Sequence, residues 1–187
     1  MTLSAVLLAG GESTRMGRDK ATLMWRGRPQ WEWQIEKLRA LHPEKIFVSA
    51  RSDLSWCPAD ARLIQDTPPS RGPLSGLATA LAATETDHLL ALAIDMPFMT
   101  TEQLRLLCNL VTTEAGVVPM IDGNAEPLAA IYPKESRAIF LEALQSENFS
   151  LQPIVRKLID LNLLKEMPIA GPAREFYKNV NEPSDLD

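Results

Sequence analysis

The chain has 187 residues, 45% apolar and 23% charged, an ordinary balance for a protein with a buried core. Basic residues number 19 and acidic ones 24, and the net charge of -5 argues against a protein that coats nucleic acid. No apolar run approaches the roughly 18 residues of a membrane helix, and two cysteines with two histidines are too few for a Cys/His zinc site.

Leu3–Ala9 is almost continuously apolar, as expected of a strand buried on both faces of a parallel sheet. A glycine-bearing loop, Gly10–Lys20, follows, and Pro29 opens a helix over Gln30–Leu41 with Trp31, Ile35 and Leu38 on one stripe. Lys45–Ala50 is the next strand, completing a βαβ unit. Arg62–Gln65 reads as a short strand, Pro68–Pro73 as a rigid loop, and Ser75 as the cap of a helix running to about Thr84. Leu89–Ile94 is wholly apolar and strand-like. Thr100 and Gln103 form a capping-box pattern for a helix that places Leu104, Leu107, Cys108 and Val111 on one face. Val117–Met120 and Pro127–Tyr132 read as strands joined by a turn at 122–124, and Ser136–Leu144 and Ser150–Leu158 as helices. This alternation predicts a three-layer α/β architecture with a mostly parallel sheet, and one domain over residues 1–187. Met1-Thr2-Leu3-Ser4 has no basic leader region, and Cys57 and Cys108 form no C-x-x-C pair, so a cytoplasmic protein with reduced thiols is expected.

The glycine loop leaves the carboxyl end of a buried strand, where α/β proteins bind ligands. Its glycines let the backbone approach anionic oxygens. Residues 15–28 hold Arg15, Arg18, Lys20, Arg26 and Arg28 against Asp19 alone, a local net of +4 in an acidic chain. A polyphosphate is the natural counterpart; the competing reading is a glycine turn followed by a solvated basic face. Neither the G-x-x-x-x-G-K-[ST] phosphate loop nor the G-x-G-x-x-G dinucleotide fingerprint is present.

Asp95 directly follows the strand L-L-A-L-A-I. A carboxylate there suits Mg²⁺, which takes hard oxygen ligands and is often shared with substrate phosphates; the competing role is a helix cap. Asp66 also follows a strand, and could bind a base or sugar or hold the turn before Pro68-Pro69. Gly72–Gly76 brings a helix N-terminus to the same region. His42 and His88 read as surface or capping residues.

The run Leu8–Lys20, L-A-G-G-E-S-T-R-M-G-R-D-K, closely resembles the signature of nucleotidyltransferases related to molybdenum cofactor guanylyltransferase. Asp66, Gly72-Pro73-Leu74-Ser75-Gly76, Asp95-Met96-Pro97 and Asn179-Val180-Asn181 match further blocks of that family in order, and Pro127–Tyr132 looks like its substrate-side strand. The resemblance implies a Rossmann-like nucleotide-diphospho-sugar transferase fold with a mixed sheet. It implies that Leu8, Ala9 and Gly10 contact the guanine and ribose of GTP, that Arg15 and Lys20 hold the triphosphate, that Asp66 helps bind the nucleoside, and that Asp95 binds Mg²⁺. Asn179 and Asn181 would lie on the acceptor side. The implied reaction moves GMP from GTP to the terminal phosphate of molybdopterin or molybdenum-molybdopterin, with other molybdenum cofactor assembly proteins as partners and neither nucleic acid nor membrane involved. L-A-G-G favours the guanylyl branch, since related cytidylyl enzymes tend to carry L-A-A-G. Two positions depart from the family pattern: Ser49, where asparagine is frequent, and Glu126, where histidine is common. The rival readings are a related transferase with a sugar-phosphate acceptor or CTP as donor, and a nucleotide-binding adaptor without catalysis.

Overall fold

The computed structural model describes residues 1–10, 20–66 and 68–180. In chain order the elements are β1 (Leu3–Leu8), β2 (Met24–Trp25), β3 (Arg28–Pro29), α1 (Gln30–Arg39), β4 (Ile46–Ala50), β5 (Arg62–Gln65), α2 (Pro73–Ala83), β6 (His88–Ala93) and α3 (Thr101–Leu110). Then come β7 (Gly116–Ile121), β8 (Asn124–Ala125), β9 (Ile131–Pro133), α4 (Arg137–Ala143), α5 (Leu151–Asp160) and β10 (Leu164–Pro168), with a short 3-10 segment at Gly171–Tyr177. The main sheet runs β10-β7-β9-β6-β1-β4-β5, and β8 pairs with β7. β1 lies parallel to both β4 and β6, β4 parallel to β5, and β7 parallel to β10; β9 runs antiparallel to β6 and β7.

Three layers follow from the side-chain alternation of the central strand. Val6 and Leu8 point into a core with Leu74, Leu77 and Leu81 of α2, Phe140 of α4 and Leu158 of α5. Ala5 and Leu7 point the other way, toward Ile35 and Leu38 of α1 and Leu104 and Leu107 of α3. Apolar residues on both faces of β1, β4 and β6 are what a sheet covered by helices on both sides requires. The chain adds β4 and β5 on one side of β1 and then β6 on the other. The succession of strands therefore reverses between β1 and β6, the switch point where open α/β sheets bind ligands.

Three sequence-based expectations are corrected, and one strand is added. α2 begins at Pro73 behind a Gly72 cap with φ of 64°, a left-handed value glycine tolerates; Ser75 lies inside the helix and its Oγ accepts from the Arg71 amide at 2.7 Å. The strand expected at Pro127–Tyr132 starts at Ile131. Residues 127–129 turn, although the Leu128 and Ala130 carbonyls already accept from the Ala93 and Ala91 amides of β6. β10 was not anticipated, because L-K-E-M-P buries only Leu164 fully and so carries no alternation. His88, expected as a surface or capping residue, is the first residue of β6 and has no exposed surface. Thr100 caps α3 as expected, its hydroxyl accepting from the Gln103 amide at 3.1 Å.

Candidate active site

The carboxyl ends of β1, β4, β5 and β6 converge on one cleft of about 210 Å³. β1 contributes Leu8, Ala9 and Gly10; β4, Ser49 and then Arg51; β5, Asp66; and β6, Ala93, Ile94 and Asp95. Lys20, Gly72, Pro73, Gly76 and Leu128 complete the wall. A second hollow of about 480 Å³ adjoins it across Ala9, Gly10 and Arg51. Six residues singled out from the sequence — Leu8, Ala9, Gly10, Lys20, Asp66 and Asp95 — thus share one cleft although 87 positions separate the first from the last. Arg15 and Asn181 fall outside the described residues. Asn179 is exposed and does not line the cleft.

The two carboxylates are held in different ways. Asp66 is 6% exposed and both its oxygens are engaged: Oδ1 accepts from Ser49 Oγ at 3.3 Å and Oδ2 from Ser70 Oγ at 2.7 Å. The Ser70 bond spans Pro68-Pro69, so Asp66 holds that turn while also lining the cleft. Ser49 supports Asp66 and is 2% exposed. A Cβ on Gly76 would sit 2.7 Å from Ser49 Oγ and 3.0 Å from Leu8 Cδ2. Glycine at that position lets α2 press onto the ends of β1 and β4.

Asp95 does not cap α3, since Thr100 does. Its Oδ2 lies 3.5 Å from Lys20 Nζ, in side chains 26% and 19% exposed. Lys20 Nζ also donates to the Val180 carbonyl at 3.3 Å, and the Val180 amide donates to the Asp95 carbonyl at 2.7 Å. Asp95 therefore presents carboxylate oxygen to the cleft beside a fixed cation. No cluster of three or more His, Cys, Asp or Glu side chains occurs among the described residues. A donor set of one carboxylate fits a hard divalent ion that takes its remaining ligands from substrate phosphates and water.

Not all of the basic segment belongs to the cleft. Arg28 donates to Glu32 at 2.9 Å and to both oxygens of Glu36, and those carboxylates hold its guanidinium above the usual arginine range. Arg26 lies 4.6 Å over the Trp25 ring. For these two the solvated-face reading is the right one. Glu126 is half-buried after β8, and burial pushes its carboxyl above the usual range.

The Ser49–Asp66 bond and Arg51 were missed from sequence, although both Ser49 and Arg51 sit at the end of K-I-F-V-S-A, where a ligand-facing group is expected. Behind the cleft, Gln30, Gln34 and Lys37 of α1 donate to the backbone around Asp95. Nothing in the sequence pattern distinguishes them from solvent-facing helix residues.

A sheet whose switch point opens onto a cation and a carboxylate 3.5 Å apart is suited to a nucleoside triphosphate, and the class of protein it defines is the nucleotidyltransferases. Comparison with known sequences narrows this: the family model described as a MobA-like NTP transferase domain matches residues 5–161, and the chain belongs to that family. The chain is 34% identical to a probable molybdenum cofactor guanylyltransferase of Mycobacterium avium, covering 100% of this chain and 94% of the relative. It is 33% identical to a protein of the same description from Opitutus terrae, covering 99% and 93%. Among solved structures, molybdopterin-guanine dinucleotide biosynthesis protein A from Archaeoglobus fulgidus aligns with a TM-score of 0.77 at 23% identity, over 98% of this chain and 94% of that one. A 2-C-methyl-D-erythritol 4-phosphate cytidylyltransferase from Thermus thermophilus aligns with a TM-score of 0.70 at 16% identity, over 97% and 94%. At these identities the structural likeness is one of fold, and it agrees with the expected nucleotide-diphospho-sugar transferase architecture.

Proposed function

We propose that this chain, acting as one domain in the cytoplasm, transfers GMP from GTP to the terminal phosphate of molybdopterin or its molybdenum-loaded form and releases pyrophosphate. The observation that carries the reading is the Lys20–Asp95 pair at the β1/β6 switch point, in a chain about a third identical to guanylyltransferases along nearly its whole length. Cys57 and Cys108 are free, and among the described residues no helix is long and apolar enough to cross a membrane.

In this reading Leu8, Ala9 and Gly10 take the guanosine end, with Asp66 fixed beside them by Ser49 and Ser70. Lys20, with Arg15 on the glycine loop, faces the triphosphate. An oxygen of the acceptor phosphate attacks the α-phosphorus; the bond from that phosphorus to the bridging oxygen breaks, and pyrophosphate leaves with the electron pair. The acceptor oxygen is already anionic, so the step needs no strong general base, and among the described residues no histidine lines the cleft. Catalysis then rests on positioning and on charge stabilisation. Lys20 places an ammonium where charge grows on the leaving group. Asp95 would hold Mg²⁺, which when bound supplies Lewis-acid stabilisation of phosphoryl charge. Asn179, and Asn181 beyond the described residues, would serve the acceptor in this reading.

The test is turnover of purified protein with Mg²⁺, molybdopterin and either GTP or CTP. Guanine dinucleotide product and pyrophosphate should appear in equal amounts, with CTP a poor donor. Equal use of CTP, or transfer to sugar 1-phosphates in place of molybdopterin, would replace the reading by another transferase activity. Nucleotide binding without pyrophosphate release would leave an adaptor.

A further inference from the structure

The five carbonyl groups that surround Asp95 are each held from outside their own segment. Gln34 Nε2 donates to the carbonyls of Ala93 at 3.0 Å and Met96 at 2.9 Å. Gln30 Nε2 donates to the carbonyl of Ile94. Lys37 Nζ donates to the carbonyl of Pro97 at 2.7 Å and to Gln34 Oε1 at 2.8 Å. The carbonyl of Asp95 itself accepts from the Val180 amide at 2.7 Å. Positions 30, 34 and 37 are spaced i, i+4 and i+7, so one stripe of α1 carries the three donors.

That stripe faces the interior. Gln34 has no exposed surface and Gln30 is 1% exposed, and the Gln30 side-chain oxygen is buried with no hydrogen-bond partner. Burying polar groups is unfavourable unless they are paired. Leucine at position 30 would remove the orphaned oxygen, though also the donor to the Ile94 carbonyl. A buried glutamine with half of its amide unpaired is a poor choice on stability grounds alone. At two of the carbonyls the glutamines are not the sole partners, since Ala93 also accepts from the Met96 amide and Met96 from the Met99 amide, whereas among the described residues the Ile94 carbonyl accepts from Gln30 and, at 3.5 Å, from Gln34 alone. Losing the side chains would leave those two carbonyls bonded but less constrained in direction.

We infer that Gln34, with Gln30 and Lys37, is a positioning device that fixes the Asp95 main chain so that its carboxylate meets the catalytic cation in a single geometry. The inference rests on Asp95 being the cation ligand. None of the three side chains lines the cleft. They act through residues 93–97, and a misplacement of about 1 Å at a reacting centre can cost on the order of 10²-fold.

The experiment titrates Mn²⁺, as a paramagnetic stand-in, into protein saturated with GTP and without acceptor, reading bound metal by electron paramagnetic resonance. kcat and KM for GTP are then measured with acceptor present. Gln34→Met is expected to weaken Mn²⁺ binding about tenfold and lower kcat about tenfold, with KM for GTP within about twofold of wild type. Gln30→Leu separates position from stability, and covers the case in which Gln34→Met does not fold. Its melting temperature should stay close to that of wild type, since the orphaned oxygen goes and Gln34 Nε2 still reaches the Ile94 carbonyl at 3.5 Å, while Mn²⁺ affinity and kcat fall about threefold. Asp95→Asn is the control. If it loses Mn²⁺ affinity while both glutamine variants keep wild-type affinity and kcat, the positioning role is overturned and the reading of Asp95 stands. If Asp95→Asn binds Mn²⁺ as wild type does, the reading of Asp95 falls and the inference with it.

Discussion

The cleft has two acidic ends built on opposite plans. At Asp66 the side chain is fixed: it is almost fully buried and each oxygen accepts from a serine. At Asp95 the main chain is fixed, by donors from α1 and from Val180, while the carboxylate is partly open and touches Lys20 at 3.5 Å. A group that recognises a neutral portion of a ligand can be satisfied in advance, because its task is shape and a preset acceptor. A group that must take a metal and meet changing phosphate charge has to keep its oxygens available, and rigidity has to come from the backbone beneath it. On the proposed function the contrast separates binding from chemistry in space, and each end can be attacked alone.

The largest effects belong to the Asp95 end. Asp95→Ala and Lys20→Ala should each lower kcat by about 10²–10³, the usual loss when one charge-stabilising contact is removed, with circular dichroism and melting unchanged. Wild-type turnover in either variant would sever that end from the chemistry.

At the Asp66 end, Gly76→Ala forces a methyl to within 2.7 Å of Ser49 Oγ. It should cost about 1–3 kcal/mol, as overpacking does, and weaken GTP binding by displacing the support of Asp66. Denaturant melts and calorimetry read the two effects separately. Ser49→Ala and Ser70→Ala are milder. Each removes one donor from a buried carboxylate, worth about 1–1.5 kcal/mol, or roughly tenfold in GTP affinity. kcat at saturating GTP should stay within about twofold. A variant that lost kcat and kept affinity would erase the distinction between the two ends.

How much of this is legible before folding depends on what surrounds each residue in the chain. Asp95 stands out because it follows an apolar run, and a carboxylate just past a buried strand has few structural reasons to be there; Asp66 is less conspicuous, since the strand before it, R-L-I-Q, buries Ile64 alone. Gly72–Gly76 is visible for a similar reason, since glycine and proline punctuate a helix start. Ser49 ends the same kind of run, but serine is small and neutral and its partner lies 17 positions away. Gln30 and Gln34 are hidden because a glutamine on a helix resembles a solvated residue. Only the return of β6 beneath α1 supplies the carbonyls they satisfy. His88 misleads in the opposite sense. Its pairing with Leu3 of β1 and Pro133 of β9 buries it at the foot of β6, and no local pattern announces that.

His88 yields the smallest predicted effect and an internal control, because it sits at the far end of the strand that leads to Asp95. Its imidazole nitrogens are buried without hydrogen-bond partners, and burial holds its pKa below the usual 6.5 despite the opposing pull of Asp87 and Glu135; Lys134 and the N-terminus add to the lowering. The unfolded chain then binds more protons as the pH falls through 6.5, so stability present above that value declines below it. His88→Leu should flatten this part of the stability–pH curve and leave GTP affinity unchanged. A curve that keeps its slope in the variant would assign the acid loss to other groups.

The central claim is that one triphosphate lies across the β1/β6 switch point between Lys20 and Asp95. A crystal structure with Mg²⁺ and a non-hydrolysable GTP analogue tests it most directly. The account predicts guanosine against Leu8–Gly10, phosphates beside Lys20, and a metal bridging a phosphate oxygen and the Asp95 carboxylate. Phosphates bound elsewhere, or an Asp95 side chain turned away from metal and nucleotide, would contradict it.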